Sequence, residues 1–294
     1  ILEYRERFKI ESTYFAPLLE MADKGRVHTT YLQTGTATGR LSSEKPNLQN
    51  IPQESKWAIP LRECFEAEKG HSFLSADYSQ LELRLLAHVS RDEELVKAFK
   101  EGKDIHTLTA SKVLGIPENK IGKEERRIGK TLNFGIVYGM GPRAFARTSG
   151  RSVKEASEFI NAYFKNFPGI KVWEKETLEK TRELGYVENE HGRKRWFEYA
   201  DTAHPRYRAE IDRMATNMPL QSLGADILKL AMIQTTNMAP LLLSIHDELL
   251  FEVRDDILEE TERKVKKAME SVMALRVPLK VETKTGTSWG SMKE

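Results

Sequence analysis

The chain has 294 residues, with 46 Lys and Arg against 44 Asp and Glu, a formal net charge of +2. That length supports a buried core in one large domain or two smaller ones, and 39% hydrophobic with 9% aromatic residues excludes a disordered chain. No apolar run approaches the ~20 residues of a membrane span, and the single cysteine, Cys64, excludes an internal disulfide or a thiolate metal cage and favours a reducing compartment.

In chain order, residues 1–25 predict a helix, with Phe15, Leu18, Leu19 and Ala22 on one face and Gly25 after its end. Residues 27–33 alternate as a strand, and 34–52, rich in turn residues, read as an extended loop. Residues 71–76 predict a strand leading into Asp77, and 80–89 a helix. Helices dominate from 91 to 184, where Ser152-Val153-Lys154-Glu155 forms a capping box and Pro168-Gly169 ends the helix that follows. Residues 186–197 read as a hairpin turning at His191-Gly192, and 206–217 and 224–234 as two helices. Two apolar strands, 241–245 and 249–253, flank His246-Asp247-Glu248. An amphipathic helix over 256–273, with Val265, Met269 and Val272 inward, and a strand over 279–284 complete the chain. Strands at both ends around a helical block give an α+β fold with the helices as an insertion.

Two groups of residues carry chemistry. If the strands ending at Asp77 and flanking Asp247-Glu248 share one sheet, their carboxylates converge at one edge. Clustered carboxylates repel, and a cation offsets the repulsion. Oxygen ligands without cysteine or a histidine cluster suit Mg²⁺ or Mn²⁺, and two such ions ~3.5–4 Å apart would serve phosphoryl transfer. The plainer alternative makes Asp77 a helix cap and Asp247-Glu248 turn residues. The second group is a helix over 124–140, where Arg126, Lys130, Phe134 and Tyr138 drift around one side. Cations suit a triphosphate and a flat ring suits a base; a solvated basic turn before core aromatics is the alternative. Gly129, Gly135 and Gly139 weaken such a helix by ~1 kcal/mol each, and close approach of another backbone or of a base pair would supply a reason for them.

These segments resemble the DNA polymerase I-type (family A) DNA polymerases. Asp77-Tyr78-Ser79-Gln80-Leu81-Glu82-Leu83-Arg84 is similar to the family's motif A, Arg126 through Tyr138-Gly139 to motif B, and His246-Asp247-Glu248 to motif C. Thr36-Ala37-Thr38-Gly39-Arg40-Leu41-Ser42-Ser43 and Pro46-Asn47-Leu48-Gln49-Asn50-Ile51-Pro52 match its template–primer stretch. The resemblance implies a right-hand polymerase with an antiparallel palm sheet and inserted helical fingers, the thumb largely missing. Its divisions fall at 1–24 (end of the thumb), 25–90 and 206–294 (palm) and 91–205 (fingers).

It also implies template-directed transfer of deoxynucleoside monophosphates from dNTPs to a primer 3′-hydroxyl with release of pyrophosphate. Asp77, Asp247 and the Tyr78 carbonyl would hold two Mg²⁺ ions, with Mn²⁺ able to substitute, and Glu248 would assist. Arg126, Lys130, His106 and Gln80 would grip the triphosphate, and Lys130 would also donate a proton to pyrophosphate. Phe134 would stack on the incoming nucleotide, Tyr138 would sit at the template position, and Glu82 would exclude a 2′-hydroxyl. Taken by itself, Ser79-Gln80-Leu81-Glu82 reads as a capping box, and both roles can hold together. Arg40, Asn50, Asn217, Gln221 and His246 would contact DNA. The implied partners are primer–template DNA and dNTPs, without a membrane. The resemblance also implies thumb and exonuclease-like regions elsewhere in the polypeptide or in a companion chain, and the opening on Ile1 fits a piece of something longer. The implied location is the bacterial cytoplasm at the nucleoid, with organelle or phage origin also open. A single-subunit RNA polymerase, a two-metal hydrolase and a non-catalytic DNA-binding module are the rival readings. Two departures from the family pattern are Ser222-Leu223-Gly224 after Gln221 and a short 235–240 connection.

Overall fold

The computed structural model describes residues 1–53, 56–197 and 205–293. Helix α1 (Leu2–Ile10) runs through a π-helical turn into α2 (Ala16–Met21). The helix predicted to residue 25 therefore stops earlier, and Gly25 (φ +81°) lies in a turn closed by backbone bonds between Asp23 and Arg26. Strands β1 (Thr30–Leu32) and β2 (Ser42–Glu44) pair antiparallel, so the predicted loop contains a strand. Its register is held by side chains rather than by periodicity: Ser43 Oγ accepts from Leu48 N at 2.9 Å and meets Thr29 Oγ1 at 2.6 Å. Helix α3 (Ala58–Glu63) precedes β3 (His71–Tyr78), and then come α4 (Leu81–Ser90), α5 (Glu93–Lys100), α6 (Ile105–Leu114), α7 (Lys123–Val137), α8 (Pro142–Ser149), α9 (Val153–Asn166) and α10 (Pro168–Leu184). The Ser152–Glu155 capping box forms. Pro168 ends one helix and, as the first residue of α10, starts the next, because its missing N–H costs nothing at that position. A hairpin of β4 (Tyr186–Glu188) and β5 (Lys194–Trp196) follows, then α11 (Pro205–Thr235), β6 (Leu241–Ile245), β7 (Glu248–Arg254), α12 (Leu258–Glu270) and β8 (Val281–Gly286).

The two helices predicted around Pro219 are one helix of 31 residues, α11. An interior proline costs ~3 kcal/mol, yet Met218, Leu220, Leu223 and Ile227 are all buried to 1% exposure or less. Burying four large apolar side chains at ~1.5–3 kcal/mol each outweighs the lost hydrogen bond. Gly224 fits without strain: a Cβ there would lie 3.5 Å from Leu81 and Leu85, ordinary contact.

The chain divides into two compact units. The first comprises residues 1–79, 225–273 and 280–294, the second 80–224 and 274–279. The units divide at 79/80 and 224/225, whereas the expected palm–fingers boundaries lie at 90/91 and 205/206, the latter bordering residues 198–204, which lie outside the described residues. The first difference has a packing cause. Helix α4 is buried on nearly every side, Val89 excepted, and packs on α7 and α10.

The first unit is built on an antiparallel sheet in the order β6-β7-β3-β8. Side chains alternate across a strand, so Ala76 and Tyr78 face one way and Phe73, Ser75 and Asp77 the other. Helix α12 covers the Tyr78 face, burying Val265 and Met269, and Tyr78 Oη donates to Met269 O at 2.7 Å. Below Asp77 on the opposite face, Phe73, Leu243, Ile245 and Leu250 form a core with Leu18, Leu48, Leu61 and Trp289.

Candidate active site

In the first unit, sheet register assembles a carboxylate edge. Asp77 sits directly across from Glu248 on β7 and from Glu282 on β8. Facing residues in an antiparallel pair share one side, so like charges there repel. Ile245 pairs with Glu248, leaving His246 and Asp247 as a two-residue turn in which His246 adopts φ +52°. That turn brings Asp247 beside Asp77, and Tyr78 N donates to Asp247 O at 3.2 Å. The Asp77 carboxyl is pushed up to about 7 by desolvation first, then by Glu248, Asp247 and Glu282, with Lys284 opposing. Asp77 itself is exposed at the strand end, so solvent tempers this shift.

Neighbouring groups stabilise the edge from within. Ser75 Oγ donates to Glu248 Oε1 at 2.6 Å. Arg62 lies 4.2 Å over the Trp289 ring, where burial opposes its charge and Glu248 supports it. Arg40 Nη2 approaches Asp247 Oδ1 at 3.6 Å, so the residue expected to contact DNA pairs with a predicted metal ligand. Tyr31 Oη and Gln49 Nε2 both donate to Ser244 O at 3.0 Å, pinning β6 ahead of the turn. Asn50 is exposed, and its carbonyl accepts from Tyr14 Oη at 2.9 Å. Sequence reasoning missed Arg62, Ser75, Tyr31 and Gln49. Only Gln49 lay within a recognised segment; the others become visible through register and burial.

In the second unit, α6 and α7 form a cationic and aromatic face. Asp104 caps α6, accepting from His106 N and Thr107 N, and its other oxygen accepts from Arg126 Nε at 2.7 Å. Burial opposes ionisation of Asp104, but these bonds outweigh it and hold the carboxyl below its ordinary range. His106 is 3% exposed. Asn133 Nδ2 donates to its Nδ1 at 3.0 Å, with the amide oriented by Thr109 Oγ1 and the Ile105 carbonyl. The imidazole is therefore neutral, held down to about 4 by burial first, with Arg126 and Lys130 adding and Asp104 opposing. Its ring lies 5.7 Å from that of Phe134.

The Gly129 position explains how close the two helices are, because a Cβ there would fall 2.1 Å from His106 O. Gly139, at φ +65°, leaves room for Arg213, and Gly135 packs on Met140. The close approach that accounts for the three glycines is protein backbone at Gly129 and side chains at the other two.

Glu82 does not complete a capping box. The N-cap of α4 is Gln80 rather than Ser79, in the left-handed region (φ +53°) with no side-chain cap bond. Glu82 is buried, and its Oε2 instead accepts from Tyr138 Oη at 2.6 Å. Arg126 and Lys130 are exposed, Phe134 half-buried and Tyr138 45% exposed. Asn217 and Gln221 lie one turn apart on α11, half-buried, and Asn217 Oδ1 is buried with no hydrogen-bond partner among the described residues.

The sequence profile of DNA polymerase family A matches residues 1–291. The chain belongs to that family. It is 45% identical to the thermostable DNA polymerase I of Thermus filiformis and 44% identical to DNA polymerase I of Deinococcus radiodurans, in each case over all of this chain. It spans 36% and 31% of those relatives' lengths, about a third. A solved structure, the POL domain of Pol1 from M. smegmatis in complex with DNA primer-template and dNTP, superposes with a TM-score of 0.93 at 36% identity. It covers 99% of this chain and 53% of that one.

The antiparallel sheet and helical insertion are thus the palm and fingers of a family A polymerase. Family A polymerases use divalent metal ions, and the donor set here fits a hard cation: carboxylate oxygens with excess negative charge around Asp77. Among the described residues no group of three His, Cys, Asp or Glu side chains could hold an ion alone. Sites that use one or two carboxylates and take their remaining ligands from substrate phosphates and water are typical of Mg²⁺.

Proposed function

We propose that this chain is the polymerising part of a DNA polymerase, joining deoxynucleoside monophosphates from dNTPs to a primer 3′-hydroxyl under template direction. The observation that carries this reading is the register-built carboxylate edge, Asp77 opposite Glu248 with Asp247 beside it, in a chain of this family. The primer oxygen attacks the α-phosphorus, the bond to the β-phosphate's bridging oxygen breaks, and pyrophosphate leaves. Asp77, Asp247 and the Tyr78 carbonyl would hold two Mg²⁺ ions, for which Mn²⁺ can substitute, with Glu248 assisting. When bound, such ions acidify the attacking hydroxyl and offset charge on the leaving group.

The protein's own groups do the rest. Arg126, pre-oriented by Asp104, and Lys130 grip the triphosphate with Gln80, and Lys130 passes a proton to pyrophosphate. His106, neutral and buried, joins that grip and packs against Phe134, which stacks on the incoming nucleotide. Tyr138 occupies the template position and, through its bond to Glu82, fixes the carboxylate that blocks a 2′-hydroxyl. Arg40, Asn50, Asn217, Gln221 and His246 contact primer and template. The Asn217 acceptor, without a hydrogen-bond partner among the described residues, suits the guanine amino group, the one donor in the minor groove.

In this reading residues 1–24 close the thumb, 25–90 and 206–294 form the palm, and 91–205 the fingers. The remaining regions belong to the same polypeptide or a companion chain. Bacterial relatives support a place in the cytoplasm at the nucleoid, and among the described residues no helix is long and apolar enough to cross a membrane.

Primer extension tests the proposal, run with and without Mg²⁺ on this chain and on a longer version carrying the upstream segment. Mg²⁺-dependent extension that disappears in Asp77→Ala is expected; near-normal extension by that variant refutes the site.

A further inference from the structure

Helix α3 places a cation beneath the carboxylate edge. Leu61 belongs to the core below Asp77, together with Phe73, Leu250 and Trp289, and Arg62 follows it on the same short helix. The Arg62 guanidinium lies 4.2 Å over the Trp289 ring. That ring is itself fixed. Trp289 is 2% exposed, meets Phe65 edge-on at 5.5 Å, and its backbone N–H donates to Phe65 O at 2.9 Å. Gly290 adds a second hold, since a Cβ there would lie 2.7 Å from Ile59 O and from Glu63 N. The segment after β8 therefore grips α3 on both sides of Arg62.

Packing on Trp289 is a poor reason for an arginine at this position. Arg62 is half-buried, and its Nε and Nη2 are buried with no hydrogen-bond partner among the described residues. An unpaired buried donor costs ~1–3 kcal/mol, and an uncharged side chain of similar length would cover the ring without that cost. What such a side chain would lack is the charge.

The carboxylate that supports this charge is Glu248, whose Oε1 also accepts from Ser75 Oγ at 2.6 Å. Ser75 shares the Asp77 face of β3, and Glu248 sits directly across from Asp77. Glu248 is thus held from the protein side twice, by a hydroxyl bond and by the field of a cation. All of these residues lie within the first unit.

We propose that Arg62 is a positioning residue. With Ser75 it ties Glu248 to the protein, so that a bound cation is taken by Asp77 and Asp247 and is not drawn towards Glu248. The place of the ions on Asp77 and Asp247 rests on the proposed polymerase function; the link between Arg62 and Glu248 does not.

The test is equilibrium binding of Mn²⁺ to the full chain without DNA or dNTP, followed by loss of the free-ion paramagnetic resonance signal. Arg62→Leu should tighten Mn²⁺ about tenfold, the scale on which outer partners change metal affinity, because Glu248 is then released to join the ion. A substitution that only damages packing would weaken the ion site or leave it unmoved. Arg62→Gln, closer in shape, should also tighten it and serves if the leucine variant does not fold, while Arg62→Lys should keep the parent affinity. In a Glu248→Gln background Arg62→Leu should change little, since a residue that acts through Glu248 is silent without it. Unchanged or weaker Mn²⁺ binding in the folded neutral variants overturns the proposal. Equal tightening in the Glu248→Gln background also overturns it, by making Arg62 a distant charge only. In primer extension Arg62→Leu should lower kcat with little change in the KM for dNTP. A parent chain that never extends a primer while the Mn²⁺ coupling holds would refute the polymerase reading and leave the Arg62–Glu248 link standing.

Discussion

The carboxylate edge and the α6–α7 face are assembled in opposite ways. At the edge, residues distant in sequence are brought together by sheet register, and the result is like charge against like charge: Asp77 is pushed up to about 7 by its surroundings. On the α6–α7 face the functional side chains come from two packed helices and the residue that caps α7, and several are satisfied internally. Arg126 is held by Asp104, His106 by Asn133 and Tyr138 by Glu82. The edge stores electrostatic conflict that a bound cation would relieve, whereas the helix face is pre-oriented and leaves Lys130 at the solvent. A site that awaits a cation is poorly balanced without it; a site that awaits an anion can be stabilised by internal carboxylates that the anion later supplements.

Breaking each region separately should show that asymmetry. The largest effect is expected from Asp77→Ala, with extension falling by at least ~10³-fold while dNTP affinity changes little, because the ion site and not the nucleotide grip is lost. Lys130→Ala should cost ~10²-fold or more in kcat, the usual scale of a lost proton donor, as read by single-turnover extension. Glu82→Gly should raise ribonucleotide incorporation relative to deoxynucleotide, and Tyr138→Phe should do so more weakly by removing one bond that orients the carboxylate. An unchanged ratio in both would show that Glu82 is only structural.

Gly129→Ala sharpens the comparison through stability. A methyl group 2.1 Å from His106 O forces α6 and α7 apart, so denaturant unfolding should show a loss of ~1–3 kcal/mol. The smallest effect is a pH dependence confined to the edge. Because the folded pKa of Asp77 is raised, its contribution favours the fold at low pH and is lost as pH rises towards 7. Without metal, Asp77→Asn should therefore melt above the parent protein at pH 8, and the gap should narrow at pH 5.5. Equal gaps at both pH values would place the conflict elsewhere.

Much of this was legible in the sequence, residue by residue. The apolar runs around Asp247-Glu248 became β6 and β7, and Ser152 capped its helix as its spacing required. The errors share a cause, which is that local rules yielded to long-range packing. Pro219 reads as a break and is not one, because the residues around it are buried. Ser79 to Glu82 matches a capping pattern, but Gln80 turns left-handed and Glu82 bonds Tyr138 instead. Strand β2 shows no periodicity, because hydroxyl bonds from Thr29 and to Leu48 set its place. Arg62 and Ser75 carry no local signal at all; only register and the Trp289 ring make them neighbours of Glu248.

By itself the sequence determined the element types, the family and the identity of the charged and aromatic side chains, since these depend on spacing and residue chemistry. Its near-zero net charge of +2 concealed their separation into an acidic edge and a cationic helix face. Tertiary structure decided which charges oppose and which are paired. Coulomb energy depends on distance and burial, and neither exists until β3 lies between β7 and β8 and α7 rests on α6 at Gly129.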